Sequence, residues 1–268
     1  MKKNCKKYIP GVKLFMGSST GNMLVDKEES LKHIFSLMDG HILMVHCEDS
    51  AIIDRNMTKA KEQYGDDVPV IMHPQIRSAE ACVESTRLAV KMANEYDTHL
   101  HIAHISTQEE LELIKNNNNP YITTEACVGH LYFSSEDHEE MGALIKVNPA
   151  IKNCKQRDAL RKALSTGEIT LVGTDHAPHL YEEKQGGASK ATSGMPILQF
   201  SLTTMLELCD EGILTKERMV ELMCHKPADL FGIEGRGYIR NGYKADLVLV
   251  KPDESWSVTK ECILSKCG

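Results

Sequence analysis

The chain has 268 residues, of which 41% are hydrophobic and 26% are charged, a composition typical of globular proteins with a sizeable core. Lys and Arg number 31 against 38 Asp and Glu, so the formal net charge is −7, and no basic stripe with interleaved aromatics is present. We therefore expect no nucleic-acid partner. No apolar run approaches the roughly 20 residues of a membrane helix, and the nine cysteines form no CxxC pair, so we expect a cytoplasmic protein without membrane segments or disulfides.

Short apolar runs alternate with longer amphipathic segments along the chain, and this alternation predicts an α/β fold of βα units around a parallel sheet. The predicted strands are residues 11–15, 41–46, 98–104, 121–127 and 169–175. The predicted helices are residues 27–40, 78–96, 107–117, 154–164, 195–210 and 215–225. Beyond about Phe231, turn glycines and the alternating run ADLVLV at 245–250 predict the start of a small β unit.

Four predicted strands end in, or close to, a residue that can bind a metal ion directly or after modification: Lys13, His46, His104 and Asp175. In a parallel barrel the carboxyl ends of the strands meet at one mouth, where such enzymes place their active sites. Each residue has an ordinary structural alternative, as a rim histidine, a snorkelling lysine or a helix-capping aspartate. The coincidence at four strand ends favours a functional site.

The blocks GVKLFMGSSTGNMLV, HCEDS, HIAHIST, KVNPAIK and GTDHAPH resemble, in this order, those of the amidohydrolase superfamily, and most closely those of the dihydroorotase family. The resemblance implies a partial (β/α)8 TIM-type barrel, with strands 4–8 and their helices, over residues 1–231. It also implies an incomplete small β-sandwich segment over residues 232–268. We expect that the first three βα units are missing, so that the chain is a fragment of a longer reading frame.

The resemblance also implies a centre of two zinc ions. Lys13 would be carboxylated by carbon dioxide and bridge the ions, His46 and His104 would hold one, and Asp175 would ligate the other and transfer protons. The residue types suit these roles, because a lysine ammonium repels a metal whereas a carbamate is an anionic bridge. Zinc lowers the pKa of the attacking water and polarises the ring carbonyl, and a carboxylate can then carry the proton to the leaving nitrogen.

By the same resemblance Asn148, His179, Ser193 and Gly194 would bind a small-molecule substrate, although a loop role for Asn148 before Pro149 is the alternative from the residues alone. The implied reaction is L-dihydroorotate + water ⇌ N-carbamoyl-L-aspartate, in pyrimidine synthesis. A hydantoinase or allantoinase acting on another cyclic ureide is an alternative, as is an inactive scaffold. The resemblance leaves a homodimer open.

Other ionisable residues near these blocks are predicted to be structural, namely His73, His99, His101 and His176. Glu125 is predicted to face the barrel rim without an assigned role. Cys47 follows His46 in a strand, and neighbouring strand residues face opposite ways, so we expect that the two do not share a metal.

One feature of the family is missing from this sequence. Its first barrel strand ends in a His-x-His pair that holds the second metal, followed by an Arg that grips the substrate, and no His-x-His precedes Lys13. The HLH at residues 99–101 lies in the wrong strand. We therefore expect that the chain binds at most one metal well and hydrolyses dihydroorotate poorly.

Overall fold

A parallel five-stranded sheet in the order β1-β2-β3-β4-β5 forms the centre of the molecule. The structure is a computed structural model that describes residues 9–17 and 24–267. Strands that are consecutive in sequence are neighbours in the sheet, as a wound βα chain requires, so the predicted α/β class is confirmed and the sheet fits part of a barrel. The strands are β1 (Gly11–Met16), β2 (Ile42–Cys47), β3 (Leu100–Ile102), β4 (Ile122–Cys127) and β5 (Leu171–Gly173).

Helices connect the strands and cover one face of the sheet. The first group follows β1, β2 and β3: α1 (Glu28–Ser36), α2 (Ser50–Tyr64), α3 (His73–Ile76), α4 (Ala79–Glu95) and α5 (Gln108–Asn117). The second group follows β4 and β5: α6 (Val128–Tyr132), α7 (His138–Met141), α8 (Cys154–Thr166), α9 (Ser201–Asp210), α10 (Lys216–Val220) and α11 (Lys226–Leu230). A π-helical turn at Glu221–His225 joins α10 to α11.

Side-chain caps fix the beginnings of the long helices. Ser78 accepts a hydrogen bond from the Ala81 amide at the start of α4, and Thr107 accepts one from Glu110 at the start of α5. Such caps satisfy backbone N–H groups that have no partner within the helix. Asn118 ends α5 in the left-handed conformation, with φ of 52°. These ends lie within two residues of those predicted from the sequence.

The two faces of the sheet differ in chemistry. Leu14, Val45 and Ile102 lie on the face that packs against the helices, and all three are buried in the main hydrophobic cluster. Successive residues of a strand alternate between faces, so the opposite face carries the side chains at Lys13 and His46. This alternation, rather than any loop, places Lys13 and His46 on the inner face.

Two predictions of secondary structure were wrong. Residues 245–250 do not form a strand, and no strand occurs among residues 232–267; an alternating pattern forms a strand only against a partner edge. Leu249 is 96% exposed. The helix predicted over 195–210 begins only at Ser201, after an irregular segment and a short 3₁₀ turn.

The division into domains at residue 231 stays a prediction. In the described part of the chain, no helix is both long and apolar enough to span a bilayer.

Candidate functional site

Two imidazoles meet above the carboxyl ends of β2 and β3. The Nδ1 atom of His46 lies 3.1 Å from the Nε2 atom of His104, and the ring planes are nearly perpendicular with centroids 4.8 Å apart. Both side chains are buried. Burial lowers the pKa of His104 well below its usual range, and the nearby His46 acts in the same direction. The arrangement brings two imidazole nitrogens to one point, and imidazole nitrogen is a ligand that suits a borderline-soft divalent cation.

The backbone is unusual at two predicted metal ligands. His104 has a φ of 40° and Asp175 a φ of 45°, in the left-handed region that residues other than glycine seldom adopt. Each lies where the chain leaves a strand of the sheet, two residues after the end of β3 or β5. Strained backbone of this kind clusters at functional sites, where the surrounding structure holds it in place. The geometry therefore supports a site at this edge.

Lys13 and Asp175 lie near the imidazole pair and influence each other through charge. Burial of its ammonium lowers the pKa of Lys13, although the neighbouring Glu125 and Asp175 carboxylates oppose the change. Burial raises the pKa of Asp175, with Lys13 and His46 acting in the opposite direction. Among residues 9–17 and 24–267, no three His, Cys, Asp or Glu side chains approach one point closely enough to hold an ion. The direct contact is thus between His46 and His104.

A buried ion pair lies behind His46. The Nε2 atom of His46 is 3.0 Å from Oε2 of Glu48, and the same oxygen is paired with the Arg77 guanidinium. Burial alone would raise the pKa of Glu48, but Arg77 and His46 outweigh it and lower the pKa to about 2. Sequence analysis missed Glu48. Its spacing from His46 could have indicated it, because residues two positions apart on an extended chain lie on the same face.

Glu125 occupies the inner face of β4. Its Oε2 lies 3.7 Å from Nε2 of His101, whose Nδ1 is 2.8 Å from the Thr123 hydroxyl. Burial would raise the pKa of Glu125, but His101 and Lys13 outweigh it and lower the pKa. Gly173 on β5 leaves the room for this carboxylate, because a Cβ there would lie 2.6 Å from Cδ of Glu125. The position of Glu125 beside Lys13 was not predicted.

The loop after β5 brings three of the four predicted substrate residues together. His179 Nε2 lies 3.1 Å from the Ser193 carbonyl oxygen, and the Gly194 amide donates to Lys146 O at 2.8 Å. Gly194 has a φ of 147°, and a Cβ on it would lie 2.4 Å from the Ala177 carbonyl oxygen. The loop therefore requires glycine at this position.

Asn148 and the surroundings of His179 complete the predicted substrate set. The Oδ1 atom of Asn148 is buried and has no hydrogen-bond partner among the described residues. His179 and Gly194 line a largely apolar cavity of about 700 Å³, to which Phe133 and Met195 also contribute. None of the four predicted metal ligands lines this cavity.

The chain is similar to known proteins both in sequence and in structure. The model of the amidohydrolase family matches residues 26–265. The dihydroorotase of Halobacterium salinarum is 33% identical over 257 residues, covering 95% of this chain and 58% of that protein. The dihydroorotase of Thermococcus kodakarensis is 31% identical, covering 95% of this chain and 55% of that protein. The chain therefore spans about half the length of the curated relatives that it matches.

Two solved structures show the same fold. An L-hydantoinase (dihydropyrimidinase) from Arthrobacter aurescens superposes with a TM-score of 0.80 at 28% identity, covering 88% of this chain and 54% of that one. A dihydropyrimidinase from Brevibacillus agri superposes with a TM-score of 0.82 at 25% identity, covering 91% of this chain and 54% of that one. The sheet and its helices thus have close counterparts among solved structures.

Proposed function

The chain belongs to the amidohydrolase family, and from this premise we propose that it takes part in the metal-dependent hydrolysis of a cyclic amide. The proposed reaction is the interconversion of L-dihydroorotate and N-carbamoyl-L-aspartate. Similarity to dihydroorotases supports this substrate. The observation that carries the proposal is the pair His46 and His104. Their facing ring nitrogens lie 3.1 Å apart at the carboxyl ends of β2 and β3.

The residues present fit a metal ion, in a family whose members are generally metal-dependent. His46 Nδ1 and His104 Nε2 lie 3.1 Å apart, so both rings present a nitrogen to the shared point. Imidazole nitrogen is a preferred zinc ligand. His46 and His104 would hold one zinc, Asp175 would contribute to a second, and Lys13 would bridge the two as a carbamate. Bound zinc lowers the pKa of water and polarises a carbonyl.

We propose that Lys13 is carboxylated. Lys13 lies on an edge strand with part of its side chain in solvent, so carbon dioxide can reach the amine, while desolvation by the surrounding protein lowers the ammonium pKa and increases the neutral fraction. In the proposed reaction the neutral amine attacks carbon dioxide and releases one proton, which leaves a carbamate. The product is the anionic bridge that the free ammonium cannot provide.

Asp175 is the proposed proton carrier. It takes a proton from the attacking water and delivers it to the leaving amide nitrogen. Burial raises its pKa toward the operating pH, which suits an acid that must also act as a base. Asn148, His179, Ser193 and Gly194 are the proposed substrate contacts. The free Oδ1 of Asn148 can accept a hydrogen bond from a ring N–H.

A second candidate is the hydrolysis of another cyclic ureide, such as a hydantoin or allantoin. The superposition on an L-hydantoinase at 28% identity favours it.

In both cases the partner is a small molecule, a homodimer is a compatible assembly, and we propose the cytoplasm as the location. We also retain the proposal of a hydrolase barrel over residues 1–231 and a separate segment over 232–268.

Metal content and turnover test the proposal together. We expect the purified chain to contain about one tightly bound zinc, and His104→Asn to lose it, because one of the two facing nitrogens is removed. His99→Asn is the matched control, since His99 is exposed and stacks on Tyr121 instead.

Turnover of dihydroorotate, hydantoin and allantoin then identifies the substrate. We expect slow, zinc-dependent turnover with dihydroorotate preferred. A zinc-free protein without turnover would favour the inactive scaffold. Two tight zinc sites with turnover typical of the family would contradict the expectation of a single well-held metal.

A further inference from the structure

We propose that His73 and His130 are positioning residues for Asn148: they bind the backbone carbonyl oxygens on either side of it and so hold its amide side chain in place for the substrate. The hold on the backbone stands on this structure alone, whereas its consequence for the substrate rests on the proposed function. Neither histidine has a part in the reaction proposed above.

Asn148 lies in an irregular segment, residues 146–150, that belongs to no helix or strand. The other four residues of this segment are buried, and only Asn148 is partly exposed. A buried carbonyl oxygen outside a helix or sheet needs a side chain or a water molecule as its donor. The partners of these carbonyl groups therefore determine how firmly the backbone holds Asn148.

The carbonyl groups next to Asn148 each bind one imidazole. His73 Nε2 lies 3.0 Å from the Val147 oxygen, and His130 Nε2 lies 2.9 Å from the Pro149 oxygen. A carbonyl oxygen only accepts, so the ring nitrogen donates in both contacts. His73 begins α3 and His130 lies in α6, so the two donors reach the segment from different helices.

Burial favours the neutral form of both imidazoles. It lowers the pKa of His73 well below its usual range and that of His130 to about 4. A neutral imidazole has a single N–H group, and in each ring this group faces the carbonyl oxygen. Neither ring has a second N–H group to offer to the substrate, so an effect on substrate binding has to pass through the segment that the two rings hold.

The carbonyl groups at the two ends of the segment accept hydrogen bonds from buried lysines. Lys184 Nζ donates to the Lys146 oxygen at 2.9 Å, and Lys152 Nζ donates to the Ala150 oxygen at 3.0 Å. By contrast, the Oδ1 atom of Asn148 is buried and has no hydrogen-bond partner among the described residues. The segment thus presents one available acceptor from a backbone that is bound on both sides.

The order of Asn148 can be measured without substrate. In the full chain labelled with ¹⁵N-asparagine, ¹⁵N relaxation reports on the Asn148 amides, which are assigned from Asn148→Ala. We expect a backbone order parameter of about 0.85 that falls below about 0.6 when His73→Met and His130→Met are combined. Each single variant should give part of this fall. His73→Gln and His130→Gln keep an N–H donor and should retain the order.

His138→Met is the matched control, because His138 is also a buried imidazole that donates to a backbone carbonyl group, that of Gly142, at 2.7 Å. It should lower the free energy of unfolding but leave the order of Asn148 unchanged. An equal loss of order in this control would overturn the proposal. So would an unchanged order of Asn148 in folded His73→Met and His130→Met.

Steady-state kinetics with dihydroorotate test the consequence for the substrate. We expect KM to rise about 3- to 10-fold in His73→Met and in His130→Met, as for the loss of one hydrogen bond, while kcat changes by less than about twofold. Asn148→Ala should raise KM to a similar extent, and either histidine variant added to it should change KM little further.

The outcomes for the two proposals can be told apart. Additive effects of the histidine variants and Asn148→Ala on KM would show that the histidines do not act through Asn148, and would overturn the positioning role. A chain that hydrolyses no ureide would contradict the proposed function, and the order of Asn148 in the variants would then decide this inference alone.

Discussion

The two sides of the candidate site are held in place by different means. On one side, His46 and Glu48 lie two residues apart at the end of β2, and the pairing of Phe15 with His46 fixes their level in the sheet. On the other side, His179 and Gly194 lie in a loop that is held by lysine side chains. Lys184 Nζ donates to three carbonyl oxygens, those of Lys146, Thr192 and Gly194, at 2.8–2.9 Å. Strand register specifies the first side, and side-chain contacts with the backbone specify the second.

The largest expected effect comes from breaking the ion pair on the strand side. Arg77→Met leaves the Glu48 carboxylate buried without its guanidinium, and we expect the free energy of unfolding to fall by about 3–5 kcal/mol. Urea titration followed by circular dichroism measures this.

The double variant Glu48→Met with Arg77→Met is the control for that measurement, and it should recover most of the loss. A single variant as stable as the unaltered chain would show that the pair is not an essential support for this side of the site.

On the loop side, Lys184→Met should lower the free energy of unfolding by about 2–3 kcal/mol, because three carbonyl oxygens, two of them buried and that of Thr192 partly buried, lose their common donor. Hydrogen exchange should increase mainly at residues 180–194 and much less in β2 and β3. The exposed Lys162 on α8 provides the matched control, since Lys162→Met should change stability by less than about 0.5 kcal/mol. Equal protection of the loop in both variants would show that Lys184 does not hold it.

A fall in pH should destabilise the side of the site that contains the buried imidazoles. Burial lowers the pKa of His130 to about 4, and its Nε2 donates to Pro149 O at 2.9 Å. Below the unfolded pKa of about 6.5 the unfolded chain binds a proton that the folded chain refuses, so stability falls as the pH drops from 6.5 toward 4. From this residue alone we expect a loss of about 2 kcal/mol between pH 7 and pH 5.

Comparison with His130→Gln isolates that contribution. Glutamine can donate to the same carbonyl oxygen but does not titrate, so the variant should lose about 2 kcal/mol less than the unaltered chain over this range. Identical unfolding curves for both chains at pH 5 and pH 7 would contradict the assignment.

The same contrast explains what sequence analysis could predict. The alternation of predicted strands and helices indicated that His46 and His104 lie at the ends of neighbouring strands. Such a prediction is possible because the pattern of strands and helices can be read from short stretches of sequence. It did not predict that Lys184 would bind three carbonyl oxygens, because a lysine in a loop rich in Gly and Ser carries no pattern of its own. The run at 245–250 has the pattern of a strand, but it forms none because pairing is a tertiary property.

Gly173 has a consequence for substitution at Glu125 on the adjacent strand. The space next to its Cα is filled by the carboxylate of Glu125 from the adjacent strand, so two residues 48 positions apart share one side chain's volume. A larger residue at 173 requires either that the Glu125 carboxylate move away from β5 or that the residue at 125 become shorter. The two positions therefore form a single steric unit, in which an exchange such as Gly173→Ala with Glu125→Ser is expected to be tolerated better than Gly173→Ala alone.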